Sequence, residues 1–500
     1  MSEADKSYRQ ILKSSSITGG SSVINILIKI FRIKVLAVLL GPGGVGLVSL
    51  YQGLVDAVTA LAGLGVGNVG ARQIAAANAQ ENSQAIANAR RALVIGTMIL
   101  AAIGGLSVWC LREVLAVLVL NDPNHSEAVG WLGIAVALSI AGASQLAYLR
   151  GMRRVADMAR VSVIGALLGT IAGITVIYFF DHRGIIAFIL LAPLLSFILG
   201  HFYVARIPKV AESATNYEII ISEWKMLLRL GFAFMLTSVV TQLVQLWVKS
   251  TVQSALGIEA VGLYQAAVSV SVQYIGFVLV AMGNDYYPRL AGVINNPVET
   301  NCLVNQQTEV ALLLGGPFLI ALMGFSPWVI EFLYSSDFKS ASLVLQWHLL
   351  GDILKIASWP LGFIILAAGD GRTFFWSESV LRLLFGAFVY FTINTLNIES
   401  VGIGYFINYV FYLPLVYILA RRRTLFGWSL KIKQIFAGFA ALTGITFLCA
   451  VYNPNLAAIF TILLFVFTMI FSINRLADVS NSDGKLVRFL RRFSANTKRK

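Results

Sequence analysis

The chain has 500 residues, 58% hydrophobic and 12% charged, with 38 Lys and Arg against 24 Asp and Glu for a formal charge of +14. An ordinary soluble domain carries about 25% charged residues, and no soluble core hides this much apolar surface, so lipid is the solvent for most of the chain. The basic excess follows membrane topology, and no nucleic-acid partner is expected. Cys110, Cys302 and Cys449 lie far apart inside apolar runs. They give neither a disulfide framework nor a metal spacing, and no metal or cofactor is expected. The polar, basic stretch 1–16 is not followed by a short apolar run with a cleavage site, so no removable signal peptide is expected.

At about 20 apolar residues per crossing, fourteen windows qualify: 17–40, 44–70, 91–120, 128–150, 160–181, 184–205, 226–250, 260–283, 308–334, 342–368, 373–396, 400–420, 433–452 and 455–473. They are too long for barrel strands of about ten residues, and helices satisfy their own backbone groups in lipid. The expected fold class is an all-α polytopic membrane protein with about 14 transmembrane helices. Residues 41–47, Gly-Pro-Gly-Gly-Val-Gly-Leu, mark the first tight turn. Placing the N-terminus in the cytoplasm puts 29 Lys and Arg on the cytoplasmic side and 4 on the other (Arg112, Arg183, Lys249 and Lys339). Both termini are therefore expected in the cytoplasm. Arg421-Arg422-Arg423 and the tail from Arg488 to Lys500 read as anchors on an anionic leaflet, and 486–493 alternates as an interfacial segment does.

The chain repeats itself at a spacing near 216. Gly41, Val45, Gly46 and Leu47 match Gly257, Val261, Gly262 and Leu263, and Trp131 matches Trp347. Gly151 and Gly184 match Gly369 and Gly402 at an offset of 218. The reading is two six-helix lobes, 1–205 and 226–420, joined by a cytoplasmic linker, 206–225. Two further helices follow in 421–473, then a basic tail, 474–500. Each lobe crosses six times, so the repeats run parallel, an arrangement suited to alternating access.

Charges inside spans mark function by default. Helix 1 carries Lys29, Arg32 and Lys34. Lys29 and Arg32 lie about 60° apart on one helical face, roughly 18 and 22 Å into the span, while Lys34 points elsewhere and is placed to snorkel. Helix 2 carries Asp56, helix 10 Asp352 and Lys355, and helix 11 Glu378 and Arg382. The pairs at i,i+3 and i,i+4 either neutralise each other or line a wet cavity. Helix 1 has three cations and no acid of its own, which points to an anion. Arg32 suits phosphate because its planar fork binds oxygens bidentately. The acids Asp56, Asp352 and Glu378 are candidates for ion coupling or charge pairing. Asn25, Gln52, Gln145, Gln242, Gln245, Gln265 and Gln273 add polar lining to the spans. There is no G-x-x-x-x-G-K-[ST] phosphate loop. The four histidines form no H-x-x-x-H pair, and no Ser/His/Asp grouping stands at an informative spacing, so no enzyme activity is expected.

Ser14-Ser15-Ser16-Ile17-Thr18, Arg32-x-Lys34-x-x-Ala37 and Gly41-Pro42-x-Gly44-x-Gly46-Leu47 resemble the start of bacterial O-antigen flippases of the Wzx type. Gln346-Trp347-His348-Leu349-Leu350-Gly351-Asp352-Ile353-Leu354-Lys355 resembles the W-Q-x-x-G-D-x-x-K region of enterobacterial common antigen flippases, with Trp and Gln exchanged. The resemblance spans roughly 10–425 and falls within the multidrug/oligosaccharidyl-lipid/polysaccharide exporter superfamily. It implies movement of an undecaprenyl-diphosphate-linked glycan across the bacterial inner membrane, from the cytoplasmic to the periplasmic leaflet. Lys29, Arg32, Lys34, Lys355 and Arg382 are then the substrate-binding candidates, with a polysaccharide polymerase and a chain-length regulator as further partners. Many O-antigen flippases have twelve spans, whereas fourteen match lipid II flippases, whose last two helices help hold the lipid tail. The alternatives are a lipid II flippase and a multidrug cation antiporter of the same fold, the latter favouring net negative lumen charge. A membrane-embedded glycosyltransferase or ligase would need a sizeable outer loop. The topology is checked at Arg423→Cys, which a membrane-impermeant maleimide should label in inverted vesicles and not in intact spheroplasts.

Overall fold

A computed structural model describes residues 3–80, 83–207 and 217–479. Residues 208–216 of the linker and the tail beyond 479, with its 486–493 stretch, lie outside the described residues. No strand occurs among the described residues, and each of the fourteen sequence windows falls on helix. Among the described residues nine helical stretches are long and apolar enough to cross a membrane. Large apolar side chains point away from the protein along them, as at Met98, Phe391 and Leu463. A chain in water would bury these groups; here they face acyl chains, and the protein is a multi-pass membrane protein.

The chain divides into two compact units, Met1–Gly262 and Leu263–Lys500. The first begins with α1 (Glu3–Ala62), a run of 60 residues carrying the first window and most of the second. Gly41, at φ 63 and ψ −171, kinks it, and Pro42 follows. A side chain would strain that φ, and proline withholds a helical donor, so the expected tight turn is here a kink between two helical arms. Then come α2 (Val66–Ala79), α3 (Ser83–Cys110), α4 (Arg112–Leu120), α5 (Ser126–Gly151), α6 (Val155–Phe180), α7 (Ile185–Ala205) and α8 (Tyr217–Leu256). Ile74, Leu93, Leu149 and Val161 join α2, α3, α5 and α6 in one apolar core. α1 packs on α6 and α8, and α3 on α5.

The second unit holds most of α9 (Ile258–Val293), then α10 (Pro297–Gly324), α11 (Ser326–Leu333), α12 (Ala341–Ala367), α13 (Gly371–Leu396), α14 (Glu399–Thr424), α15 (Leu430–Tyr452) and α16 (Pro454–Val479). Its core draws Tyr286, Leu361, Ile365, Leu381 and Val416 from α9, α12, α13 and α14. α10 packs on α15 and α16.

Three windows are not continuous helices. Window 44–70 breaks between α1 and α2, where Leu64 and Gly65 take φ 46 and 67. Gly63, Gly65 and Gly67 fall on alternate residues there and weaken the helix. Window 91–120 divides at Leu111 between α3 and α4. Window 308–334 divides at Phe325, where Pro327 starts α11.

Gly41 and Gly257, equivalent in the repeat, both have positive φ, 63 and 87. Five residues on, Gly46 and Gly262 meet. A Cβ on Gly46 would strike the Ile258 carbonyl oxygen, and one on Gly262 would strike the Pro42 carbonyl oxygen. The contact is reciprocal, since 42 and 258 are also 216 apart. Overpacking commonly destabilises by about 1–3 kcal/mol. Gly46→Leu and Gly262→Leu should each lower the thermal unfolding midpoint of the solubilised protein by several degrees in a light-scattering or fluorescence melt. Gly444→Leu, where a Cβ has nothing within 4 Å, should leave it within error.

Candidate functional site

Two clusters of charge lie at membrane depth, one in each unit. In the first, the arm of α1 before the kink carries Lys29, Arg32 and Lys34, and the arm after it carries Asp56. The Arg32 guanidinium lies 5.3 Å from the centre of the Phe188 ring on α7. Its Nε is buried and has no hydrogen-bond partner. Gln52 Nε2 donates to Asp56 Oδ1 at 2.9 Å. The cations whose charge reaches Asp56 are Lys249 and Lys29. Lys249 Nζ also donates to the Ser49 carbonyl at 3.2 Å. Among the described residues neither Lys29 nor Arg32 is held in a salt bridge. Lys34 is half-buried and already engaged. Asn25, on the same arm, donates from Nδ2 to Ser162 Oγ at 2.9 Å. Lys29 and Lys249 thus share one carboxylate, and Arg32, on the same arm of α1 as Lys29, has none among the described residues. That arrangement can attract and desolvate an anion.

Lys249, counted above with the far-side cations, lies within α8, close enough to act on Asp56. Its place one residue before the end of the window 226–250 hid that role.

In the second unit, α12 presents Asp352 and Lys355, α13 Glu378 and Arg382, and α14 a tyrosine stripe at 405, 409 and 412. Asp352 is fully buried. It accepts from Ser271 Oγ at 2.7 Å and from Tyr405 Oη at 2.8 Å. Lys355 Nζ donates to Tyr405 Oη at 3.3 Å and lies 5.8 Å from the Tyr409 ring centre. Of the two readings left open for Asp352 and Lys355, direct pairing does not form; Tyr405 stands between them. Glu378 and Arg382 do pair, at 3.0 Å, and Tyr412 Oη donates to Glu378 Oε1 at 2.5 Å. The Arg382 Nε is buried without a partner. His348 stacks on Tyr405, with centroids 4.4 Å apart, and its Nδ1 lies 3.0 Å from the Val344 carbonyl oxygen. Trp347 packs against Phe406 and Phe447.

The sequence reading passed over the three tyrosines, although their i,i+4,i+7 spacing puts them on one helical face. It also passed over Glu309 of α10. That carboxylate is buried between Lys431 of α15, at 2.6 Å, and Arg475 of α16, at 3.2 Å.

The lipid III flippase of Escherichia coli (strain K12) is 23% identical to this chain over 431 residues, 83% of this chain and 99% of that protein. Among solved structures, the lipid II flippase MurJ in its inward closed conformation matches with a TM-score of 0.69 at 14% identity, covering 93% of this chain and 99% of that one. The inward-facing conformation of a multidrug resistance MATE family transporter of the MOP superfamily matches with a TM-score of 0.67 at 17% identity, covering 82% and 96%. The all-helical fold expected from hydropathy is the fold of these transporters. The family described as polysaccharide biosynthesis protein matches residues 35–343, more than half of the sequence, and the chain belongs to that family.

Proposed function

We propose that this protein flips an undecaprenyl-diphosphate-linked oligosaccharide from the cytoplasmic to the periplasmic leaflet of the bacterial inner membrane by alternating access. The distribution of Lys and Arg supports cytoplasmic termini, and the flipped unit passes to a polysaccharide polymerase and its chain-length regulator. The observation that carries this reading is Arg32: a half-buried arginine within an apolar span of the sequence, its Nε buried and unsatisfied, with no salt bridge among the described residues. Leaving a charge buried and unpaired is strongly destabilising. A diphosphate supplies both the countercharge and the hydrogen-bond acceptors that Arg32 lacks. Lys29 and Lys249 add to the attraction, and Gln52, Gln245 and Asn25 offer the amides that suit sugar hydroxyls. A cation exporter calls for the opposite sign. Family membership and the relation to the lipid III flippase support the lipid-linked oligosaccharide as cargo.

Within the second unit, Lys355 lies 5.8 Å from the Tyr409 ring centre and Arg382 pairs with Glu378; both are proposed to bind substrate. The polyprenyl tail stays in lipid. A cavity of about 430 Å³ between α15 and α16, lined by Ile435, Phe439, Leu442, Phe467 and Phe471 with Lys431 and Arg475 also in its wall, is apolar enough to hold part of it.

Arg32→Ala should lower the rate of dithionite-reported flipping of a fluorescent diphosphate-linked oligosaccharide in proteoliposomes by at least about tenfold, the equivalent of about 1.4 kcal/mol in binding or barrier. Arg32→Lys should fall between this and the parent. An unchanged rate at equal protein incorporation would remove Arg32 from the site.

A further inference from the structure

The junction of α1 and α2 opens a cavity that the function above leaves unused. Its volume is about 440 Å³, far more than the roughly 30 Å³ share of one water. It lies wholly within the first unit. The polar groups in its wall are Thr59, Asn68, Arg72 and Ser238, and Ile140 and Met235 supply apolar wall. Among the described residues no acidic one lines it.

Three observations give the cavity its chemistry. Arg72 is exposed and makes no ion pair among the described residues. The Thr59 Oγ1 is buried and has no hydrogen-bond partner. Arg150 Nη1 donates to Asn68 Oδ1 at 3.3 Å, which occupies the carbonyl end of that amide and leaves Nδ2 to donate. A guanidinium, an amide nitrogen and two hydroxyls therefore line one cavity, with no carboxylate among the described residues of its wall. An organic cation needs an acid, and a neutral sugar, which the hydroxyls would serve, leaves the arginine charge unmatched. Oxygens carrying negative charge match every one of these groups, and Arg72 offers them the fork geometry that phosphate fills. As a mere topology anchor, Arg72 would need only the interface and no cavity beside it.

We infer that this cavity binds a phosphate-bearing group. The inference rests on the flipping reading only for the source of that group, the diphosphate of the lipid-linked glycan engaged separately from Arg32. Phosphate recognition itself is carried by Arg72, Asn68 and Thr59, and Ser238 lies in the same wall as a reporter position.

The test uses the full chain with Cys110, Cys302 and Cys449 replaced by serine, Ser238→Cys introduced, and reconstitution into phosphatidylcholine nanodiscs. The rate of maleimide modification at position 238 is read with inorganic pyrophosphate against chloride at equal ionic strength. Millimolar pyrophosphate should slow modification at least threefold. Arg72→Gln should abolish the slowing, Arg72→Lys should retain part of it, and Arg32→Ala should leave it intact. Slowing that appears only when the discs contain phosphatidylglycerol, and is lost in Arg72→Gln, keeps the phosphate site and assigns its source to a phospholipid headgroup. No slowing under either condition, or slowing that survives Arg72→Gln, overturns the inference. Protection is read without transport, so a protein that binds pyrophosphate here yet flips nothing would sink the proposed function and leave this site standing.

Discussion

A cation buried at bilayer depth must meet an opposite charge or be held there by something stronger than its own desolvation. Arg32 meets this demand poorly inside the protein. Its contact with Phe188 belongs to a class worth about 0.5–2 kcal/mol, while desolvating an ion costs several. Elsewhere two buried carboxylates are fully paired with cations. Asp157, 4% exposed, is held by Arg154 at 2.6 Å and Arg160 at 2.8 Å. Glu309 is held by Lys431 and Arg475. Each of these two carboxylates has two cations. On the arm of α1 that carries Arg32 the balance is reversed: Lys29 and Lys249 share the one carboxylate Asp56, and Arg32 has none among the described residues. A dianionic headgroup has the sign and size to fill that deficit of negative charge.

The second unit handles charge differently. Asp352 is satisfied by Ser271 and Tyr405, and Glu378 by Arg382 and Tyr412. The bonds of Ser271, Tyr405 and Tyr412 run between helices, so the network fixes α9 and α13 against α12 and α14 as much as it prepares a surface. Satisfied buried networks rigidify, and losing one partner leaves another exposed to the low dielectric. Lys355 is the exception, since its donor contact is a neutral phenol. The binding chemistry is therefore concentrated in the first unit, with Lys355 as the second unit's available charge.

The legibility of these features follows the range of the forces involved. Hydropathy needs only neighbours in sequence, and every window landed on helix. Lys29 and Arg32 share a face because three residues of helix fix it. Asp352 and Lys355 are equally well placed by spacing, yet α14 intervenes with Tyr405, and no spacing along α12 encodes that choice. Lys249 acts on Asp56 from nearly two hundred residues away, which a single sequence does not reveal. The break after Ala62 was closer to the surface of the text: glycine at 63, 65 and 67 is a local signal, overridden in the reading by the apolar residues between them.

The repeat shows where local and long-range information agree. Gly41 and Gly257 are alike in sequence for a backbone reason, the positive φ that lets each helical arm turn. Gly46 and Gly262 are alike for a packing reason, the lack of room for a Cβ over the partner's carbonyl. One residue type answers two separate demands five positions apart, and it does so twice. A substitution at 41 would act through strain in its own peptide, and one at 46 through displacement of α9's first turn. The repeat was therefore detectable despite weak overall similarity, because the positions that persist are those where backbone geometry leaves no alternative side chain.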